Sequence, residues 1–410
     1  MTIYFLAGEV SGDNHGAALI RSLRSLDGDL KFFGRGGPQM KEIAGEQFKN
    51  WIDEAAVLGL WEVLRKYGYF REQFHQVLQE ILEIKPAAVV LIDYPGFNLR
   101  LARALRRHAP RQKIIYYISP QVWAWNRGRI KKMARFIDLV LCIFPFEADL
   151  YNQAGLRALF VGHPMIERLQ SRKIETERDA NLIGLFPGSR SREVRKIFPV
   201  MVAAARGLQK HHRNLRFEVA AASDELAREI SRVLAAGEDT EEMPSPSLKE
   251  ERRVGDALAR NPQVIQIKIG QTADIMQRAW AGIVASGSVT LEAAYFRLPF
   301  VLIYKVTWPT YLAARLVVNV KYLGMPNLLA DKEVVPEFIQ HRARPSAIVE
   351  AVRPLTENAH ARNQMTSAFD EVISKLGNTG ASQRAAQAII EELKEGRPPN
   401  LPGDLETAAS

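Results

Sequence analysis

Ten short apolar segments alternate with helical patterns along this 410-residue chain. The segments are Thr2–Leu6, Leu30–Phe33, Ala88–Ile92, Ile114–Ile118, Leu139–Ile143, Leu182–Phe186, Phe217–Ala221, Val264–Ile267, Gly282–Ala285 and Phe300–Tyr304. Near-continuous apolar runs of this length are typical of strands in parallel sheets whose two faces are both covered by helices. The pattern therefore predicts an α/β protein built from two doubly wound, Rossmann-like domains.

The chain is too long for one ordinary hydrophobic core, and a polar segment over residues 170–181 lacks a core stripe. We therefore predict an N-terminal domain over residues 1–170 and a C-terminal domain over 181–345, then C-terminal helices over 346–395 and a loose tail over 396–410. A polar stretch over 237–253 is predicted to be a surface insertion. The last helices, over 362–393, are candidates for packing across a homodimer.

Composition and cysteine usage favour a cytoplasmic protein. With 47% hydrophobic and 25% charged residues, the chain has an average globular composition. Its one cysteine, Cys142, lies in an apolar run, which predicts a buried, inert thiol and is consistent with a reducing compartment. No apolar run reaches the roughly 18 residues that span a bilayer, and strand-like sequence begins too early for a signal peptide. We expect a cytoplasmic protein that can still lie on a membrane surface.

Two glycine- and serine-rich turns each join a predicted strand to a predicted helix. They consist of Pro187, Gly188, Ser189 and Arg190, and of Ser286, Gly287 and Ser288. The unpaired N–H groups and the dipole of a helix N-terminus favour phosphate, and glycine lets the backbone approach it closely. The Arg190 guanidinium suits a diphosphate, and Glu292, one helical turn beyond Ser288, can accept both hydroxyls of a ribose. Each turn alone is also typical of an ordinary serine-capped helix, but the pair predicts nucleotide-diphosphate binding.

Asp93 is the best candidate for a general base. It ends the apolar strand Ala88–Ile92, where a carboxylate partly removed from water gains proton affinity. The alternative is an aspartate that only caps the helix beginning near Asn98. Ligands collect at the carboxyl ends of parallel strands, so Asp93 and the turn over 7–13 are expected to face the same cleft.

Neither a cofactor nor a metal is predicted. The glycines at positions 8, 12 and 16 do not fit the dinucleotide pattern G-x-G-x-x-G, and neither does the run at 34–37. The D-x-D sequence at Asp27 and Asp29 is typical of a turn. His163, which precedes a proline, is more typical of a hydrogen-bonded hinge residue than of a catalyst.

Basic residues are concentrated in one part of the chain. Between Lys85 and Arg135 there are twelve lysines or arginines and one acid, Asp93. This excess predicts an anionic partner, either a lipid surface or a phosphorylated substrate. Some of these residues also have the spacing of a solvated helix face. Nucleic acid is disfavoured, because no nucleic-acid-binding motif accompanies the charge.

An apolar and aromatic segment over 57–70 also contains basic residues. We expect its side chains to contact a lipid interface or acyl chains, and the candidate contacts are Trp61, Leu64, Tyr67 and Phe70. The alternative is a core helix, because a stripe at helical spacing continues to Ile81.

Seven motifs, in order from end to end, resemble the lipid-A-disaccharide synthase family. They are the segments Ala7–Asp13, Ile92–Asn98, Tyr117–Trp125, Phe160–Pro164, Pro187–Glu193, Ser286–Glu292 and Pro326–Leu329. The resemblance implies a GT-B glycosyltransferase, with two Rossmann-like domains facing a cleft, that joins UDP-2,3-diacylglucosamine to 2,3-diacylglucosamine 1-phosphate (lipid X). The implied products are the β-1,6-linked disaccharide 1-phosphate and UDP.

The resemblance also implies inversion at the anomeric carbon without a metal, at the cytoplasmic face of the inner membrane. It places Asn327 on the donor side and Ser11, Gly12 and Asp13 on the acceptor side. Gly96 stands where the family often has a second acid, which puts more weight on Asp93. Two other classes stay open: a UDP-sugar 2-epimerase of the same fold, and a non-enzymatic nucleotide- or lipid-binding protein.

Overall fold

The computed structural model describes residues 1–52, 67–121, 128–236, 265–308, 311 and 320–394. Residue contacts divide the chain into two compact units. Unit 1 comprises Met1–Glu167 together with Leu376–Ser410, and unit 2 comprises Arg168–Lys375. The helices that the sequence analysis groups over 346–395 are therefore divided between the two units. The predicted insertion over 237–253 and the predicted tail over 396–410 lie outside the described residues.

Unit 1 is built, in its described part, on one parallel sheet flanked by helices. Its first elements are β1 (Thr2–Ala7), α1 (Val10–Leu26), β2 (Lys31–Gly36), α2 (Pro38–Ala44), β3 (Phe48–Asn50), α3 (Tyr67–Ile84), β4 (Ala88–Ile92) and α4 (Pro95–His108). They are followed by β5 (Lys113–Tyr117), α5 (Gly128–Met133), β6 (Leu139–Cys142), α6 (Pro145–Gln153), β7 (Ala158–Phe160) and α7 (Met165–Gln170), which crosses the unit boundary. The strand order is β3-β2-β1-β4-β5-β6-β7.

Alternate residues of each central strand face two separate cores. In β4, Val89 and Leu91 pack on the side of α4, whereas Val90 and Ile92 pack on the side of α1. Strands buried on both faces need apolar residues at nearly every position, which is the physical reason for the continuous runs in the sequence. Cys142 is buried in the first of these cores, and burial raises the pKa of its thiol, as expected for an inert cysteine.

Unit 2 repeats this architecture in the residues that the structure describes. Its elements are β8 (Asp179–Phe186), α8 (Ser191–His211), β9 (Arg216–Ala221), α9 (Asp224–Ala236), β10 (Gln266–Ile269), α10 (Thr272–Arg278), β11 (Ala279–Ala285), α11 (Val289–Tyr295), β12 (Phe300–Tyr304), α12 (Met325–Ala330), β13 (Glu337–Ile339), α13 (Pro345–Glu357) and α14 (Ala359–Ser374). The strand order is β10-β9-β8-β11-β12-β13, and the pairs are parallel. The predicted pair of doubly wound domains is confirmed.

The last helix, α15 (Ala381–Lys394), returns to unit 1 and packs against α1. Its residues Ala385, Ala386 and Ile389 are fully buried in the core beneath β1. Glu392 is paired with Lys113 at 3.4 Å and with Arg157 at 2.8 Å. The apolar face of α15, considered above for a homodimer, is therefore covered within the chain.

Each of the ten predicted strands corresponds to an observed one, and the predicted segment Val264–Ile267 corresponds to β10 with a shift of two residues. Strands β3, β7 and β13 were not predicted. Each has three residues and lies at a sheet edge, too short for its hydrophobic pattern to be recognised. Among the described helices, none is long and apolar enough to cross a membrane.

Candidate active site

In unit 1, the predicted base lies at the point where the strand order reverses. The chain runs from β1 outward to β3 on one side and from β4 outward to β7 on the other, and β1 and β4 are adjacent. Ala7 pairs with Ile92 in the sheet register, so the turn after β1 and Asp93 after β4 lie side by side. Ligands of open α/β sheets bind at such a switch point.

The backbone at Asp93 and Tyr94 is held in an unusual conformation. Their φ angles are +46° and +49°, in the left-handed region that residues other than glycine rarely adopt. The Asp93 N–H donates to the Tyr117 carbonyl at 3.1 Å. The Asp93 carbonyl accepts hydrogen bonds from the Asn98 side-chain amide at 2.8 Å and from the Tyr116 hydroxyl. This strain is retained because buried neighbours fix the turn.

The surroundings of Asp93 suit a general base. Burial raises the pKa of its carboxyl to about 6, the Glu9 carboxylate adds to the rise, and a hydrogen bond from the Tyr94 backbone opposes it. Burial, and then Glu9, also raise the pKa of Tyr94 to about 12. A carboxyl with a pKa near 6 is ionised near neutrality and still has appreciable proton affinity. The alternative, in which Asp93 serves only as a helix cap, is not what the structure has: Tyr94 is the N-cap residue of α4.

Glu9 is a functional candidate to which the sequence analysis assigned no role. It is exposed at the start of α1, in the turn that lies beside Asp93. A Cβ atom on the preceding Gly8 would lie only 2.4 Å from the Tyr94 ring, so glycine is needed for the turn to approach that ring. The sequence contained a signal for this candidate, because Gly8 and Glu9 are adjacent and follow the first predicted strand.

Ser11, Gly12 and Asp13 have three different surroundings. Ser11 is exposed in the first turn of α1, as a ligand contact requires. Gly12 is buried, and a Cβ atom there would meet the Ala7 Cβ at 3.3 Å, so it serves close packing of α1 on the sheet. Asp13 is 2% exposed, and its carboxylate accepts hydrogen bonds from the N–H groups of Gly37, Gln39 and Met40 at 2.8–3.0 Å. Assigning Asp13 to the acceptor is therefore corrected: it caps α2.

In unit 2, the two glycine-containing turns lie next to each other. Strands β8 and β11 are adjacent at the switch point of the second sheet, and Phe186 pairs with Val284. Gly188 and Gly287, which follow these strands, have φ angles of +110° and +140°. Both turns thus require glycine, and the sheet register brings them together.

The helix after the first turn is the longer of the two and offers the stronger dipole. Helix α8 has 21 residues with Arg190 at its N-cap, whereas α11 has only seven. Ser189 and Arg190 are exposed, as are Gly287 and Ser288 in the second turn. Arg190 Nη1 lies 3.3 Å from Glu193 Oε1, and a Cβ atom on Gly188 would lie 2.4 Å from Glu193 Oε2. Glu193 thus keeps the Arg190 guanidinium close to the turn.

The second turn is fixed by its own backbone. The Ser286 N–H extends the sheet by donating to the Ile303 carbonyl at 3.0 Å, so this N–H is not available to a phosphate. The Glu292 side chain is 15% exposed and pairs with Arg168 at 2.8 Å. Arg168 has no motif around it that could have indicated this contact from the sequence.

Asn327 is not available to a nucleotide. It is fully buried, and its Oδ1 accepts hydrogen bonds from the N–H groups of Val334 and Val335. Its Nδ2 donates to the Val335 carbonyl and to Glu337 Oε1, both at 2.8 Å. All the donors and acceptors of the amide are therefore used in holding α12 against β13. The donor-side role implied by the resemblance is corrected to a structural one.

The candidate membrane contacts are only partly described. Trp61 and Leu64 lie outside the described residues, as does the side chain of Tyr67, the first residue of α3. Phe70 is half-buried and packs against the core of unit 1, which favours the core-helix interpretation for this residue.

Part of the basic excess is exposed on α4. Arg100, Arg103 and Arg107 are exposed on that helix. Arg106 instead pairs with Asp138 at 2.7 Å.

Two further sequence interpretations concern His163, which is hydrogen-bonded as expected, and the D-x-D sequence, which forms a turn as predicted. The His163 N–H donates to the Leu376 carbonyl at 2.9 Å, and its Nδ1 accepts from the Met165 N–H at 3.1 Å, close to where the chain passes between the units. The Asp29 N–H donates to Asp27 Oδ1 at 3.0 Å, which makes the D-x-D sequence a turn.

Comparison with known sequences identifies full-length relatives. The profile of a family described as lipid-A-disaccharide synthetase matches residues 3–247 and 242–391. The lipid-A-disaccharide synthase of Geobacter sulfurreducens is 37% identical over 401 residues, covering 95% of this chain and 97% of that protein. The synthase of Myxococcus xanthus is 35% identical over 403 residues, covering 96% and 98%.

Solved structures share the fold. The calicheamicin glycosyltransferase matches with a TM-score of 0.56 at 13% identity, covering 97% of this chain and 99% of that chain. UDP-GlcNAc 2-epimerase from Neisseria meningitidis, bound to UDP-GlcNAc, matches with a TM-score of 0.55 at 12% identity, covering 96% and 100%. At such identities the likeness concerns the fold alone, and it agrees with the predicted GT-B class.

Proposed function

Because the chain belongs to the lipid-A-disaccharide synthase family, we propose that it transfers the sugar of UDP-2,3-diacylglucosamine to the 6-hydroxyl of 2,3-diacylglucosamine 1-phosphate (lipid X). The products are the β-1,6-linked disaccharide 1-phosphate and UDP. The observation that carries the mechanism is Asp93, a carboxyl with raised proton affinity at the switch point of unit 1.

Asp93 is the proposed general base. Its carboxylate takes the proton from the acceptor 6-hydroxyl while that oxygen forms a bond to the anomeric carbon of the donor. The bond from this carbon to the diphosphate breaks, and its electron pair leaves with UDP. Attack on the face opposite the diphosphate inverts the anomeric centre, which gives the β linkage from an α-linked donor. Ser11, exposed in the adjacent turn, is the proposed acceptor contact that the corrections above leave in place.

Unit 2 is proposed to hold the leaving group. Arg190 and the first turn of α8 supply charge-assisted and backbone hydrogen bonds to the diphosphate, and Ser189, Gly287 and Ser288 supply further backbone contacts from the two turns. These fixed positive groups perform the task that a divalent cation performs elsewhere, so the proposed reaction is metal-independent. Glu292 is proposed to accept the ribose hydroxyls.

The substrates carry acyl chains, so we propose that the protein works at the cytoplasmic face of the inner membrane. The apolar segment over 57–70 and the exposed arginines of α4 are the proposed contacts with acyl chains and anionic headgroups. A homodimer stays a prediction without a proposed interface.

A product assay separates this function from the alternatives. Purified protein is incubated with UDP-2,3-diacylglucosamine, with and without lipid X, and the products are separated. We expect UDP and the disaccharide phosphate only when lipid X is present. An isomerised sugar nucleotide formed without lipid X would instead indicate an epimerase, which full-length similarity to the synthases disfavours. The absence of product in both mixtures would favour the non-enzymatic nucleotide- or lipid-binding protein.

A further inference from the structure

Glu292 depends on a partner from another part of unit 2. Its side chain is 15% exposed, and Arg168 Nη2 lies 2.8 Å from its Oε1. A carboxylate this far removed from water needs compensation, since burying an unpaired charge is costly. Arg168 provides it, although its own side chain stays 45% exposed.

The backbone that carries Arg168 is fixed within unit 2. The Ser171 hydroxyl donates to the Arg168 carbonyl at 2.9 Å. Gln277, on α10, donates to the Arg172 carbonyl at 3.0 Å and accepts from the Ile174 N–H at 2.8 Å. The guanidinium is therefore presented to Glu292 from an anchored segment.

This ion pair leaves the carboxylate able to bind a ligand. Arg168 donates to one oxygen, Oε1, whereas an ionised carboxylate can accept about four hydrogen bonds on its two oxygens. Two neighbouring hydroxyls of a ribose need two such acceptors in a fixed orientation. A carboxylate that is already oriented loses less side-chain freedom on binding.

We propose that Arg168 is a positioning residue that orients Glu292 toward the two ribose hydroxyls, so that the site selects a ribonucleoside diphosphate over its 2′-deoxy form. The inference rests on the proposed function, in which Glu292 binds the ribose. Arg168 acts through Glu292 and is assigned no contact with the nucleotide.

Calorimetry with UDP and 2′-deoxy-UDP tests this directly. We expect the unsubstituted protein to bind UDP more tightly than 2′-deoxy-UDP by roughly tenfold, the usual effect of a lost hydrogen bond to a charged group. Arg168→Ala should reduce this ratio at least about threefold, mainly by weakening UDP. Arg168→Lys keeps the charge without the guanidinium fork. Its affinity ratio should lie between that of the unsubstituted protein and that of Arg168→Ala.

Two further variants make the test specific. Arg297→Ala removes an exposed arginine of unit 2 that pairs with Asp370 at 3.0 Å, and it should leave the ratio unchanged. Glu292→Gln should lower the ratio, and adding Arg168→Ala to it should lower the ratio no further. Thermal unfolding of each variant verifies folding, and Arg168→Lys carries the test if Arg168→Ala does not fold.

The outcomes separate the inference from the proposed function. If the unsubstituted protein does not discriminate between the two nucleotides, Glu292 does not bind the ribose, and that part of the proposed function fails as well. If it discriminates and Arg168→Ala discriminates equally, only the positioning role is overturned. Tighter UDP binding by Arg168→Ala would also overturn it, because Arg168 would then be competing with the nucleotide.

Discussion

Asn98 donates a hydrogen bond of 2.8 Å from its side-chain amide to the backbone carbonyl of Asp93. Asn98 is fully buried, and its Nδ2 also lies 3.2 Å from the Ile92 carbonyl. The amide thus clamps the end of β4 where the chain enters its left-handed turn. The carboxylate of Asp93 is therefore presented by a turn that the core of unit 1 fixes before any ligand binds.

Asp93→Asn should fold and lose turnover. The amide cannot accept the proton of the acceptor hydroxyl, and loss of a general base usually costs about 10²–10⁴-fold in kcat. Initial rates of UDP release, with lipid X saturating, measure the effect. UDP affinity by calorimetry should stay unchanged, since the nucleotide is assigned to unit 2. A turnover close to that of the unsubstituted protein would remove Asp93 as the base.

Thermal unfolding provides the folding control for Asp93→Asn. Because the folded-state pKa of Asp93 is raised to about 6, its carboxyl binds its proton more tightly in the folded protein. This contribution to stability is present below about pH 4 and is lost as the pH rises through about 6. The Asn side chain does not titrate, so at pH 7.5 the free energy of unfolding of the variant should exceed that of the unsubstituted protein, by at most about 3 kcal/mol. This difference should disappear near pH 4.

Glu9→Gln should move the pH dependence of the reaction. Asp93 must be ionised to act, so kcat/KM should rise with pH through about 6, and removing the Glu9 charge lowers the pKa of Asp93. The acidic limb of the kcat/KM profile should therefore shift to lower pH. Glu46→Gln, an exposed acid elsewhere in unit 1, is the matched control. Superimposable profiles for Glu9→Gln and its control would exclude electrostatic coupling between Glu9 and Asp93.

Arg190→Ala should weaken UDP binding by roughly tenfold or more, because it deletes a charge-assisted hydrogen bond to phosphate. Calorimetry with UDP measures the change. Arg195→Ala is a suitable control, since Arg195 lies on the same helix and pairs with Glu229. If Arg190→Ala binds UDP as tightly as the Arg195→Ala control does, the diphosphate binds elsewhere.

Activity should survive EDTA. Arg190 and the α8 dipole neutralise the leaving diphosphate without a cation, so chelation removes nothing that the proposed reaction needs. Rates are compared before and after dialysis against EDTA, and then with magnesium added back. A loss that magnesium restores would contradict the metal-independent mechanism.

Trp61→Ser combined with Leu64→Ser should reduce membrane binding. Apolar contact contributes about 25 cal/mol per Å² and resists salt, whereas each basic residue near an anionic surface contributes about 1 kcal/mol and is screened. Sedimentation with anionic vesicles should show that the double variant loses the salt-resistant part of binding and keeps its UDP affinity. Trp308→Ser, which removes a tryptophan 58% exposed in unit 2, serves as the comparison. If the double variant sediments with vesicles as the unsubstituted protein does, another surface contacts the lipid. If the double variant unfolds, the segment belongs to the core.

The sequence predicted the structural features that depend on interactions between residues close together in the chain. The apolar segments gave the central strands, and glycine beside serine marked both turns, because a positive φ requires glycine whatever the tertiary surroundings. Asp93 was selected as a candidate because it directly follows a buried strand. Each of these signals is contained in a few consecutive residues.

The residue that the sequence misassigned and the contact that it missed both depend on distant partners. Asp13 was given to the acceptor, but its carboxylate meets N–H groups 24 to 27 positions further on. Arg168 and Glu292 are 124 positions apart. No local pattern records such contacts, since register and packing bring these groups together only once the sheet has formed.

The return of α15 to unit 1 determines the order in which a growing chain can finish its two halves. Unit 2 is continuous in sequence from Arg168 to Lys375 and can complete its sheet as soon as those residues leave the ribosome. Unit 1 begins to emerge earlier, yet the surface beneath β1 stays uncovered until Ala385, Ala386 and Ile389 have been synthesised. The first half to be translated is thus the last to be closed, and during that interval its exposed apolar surface is where a nascent chain would need protection from aggregation.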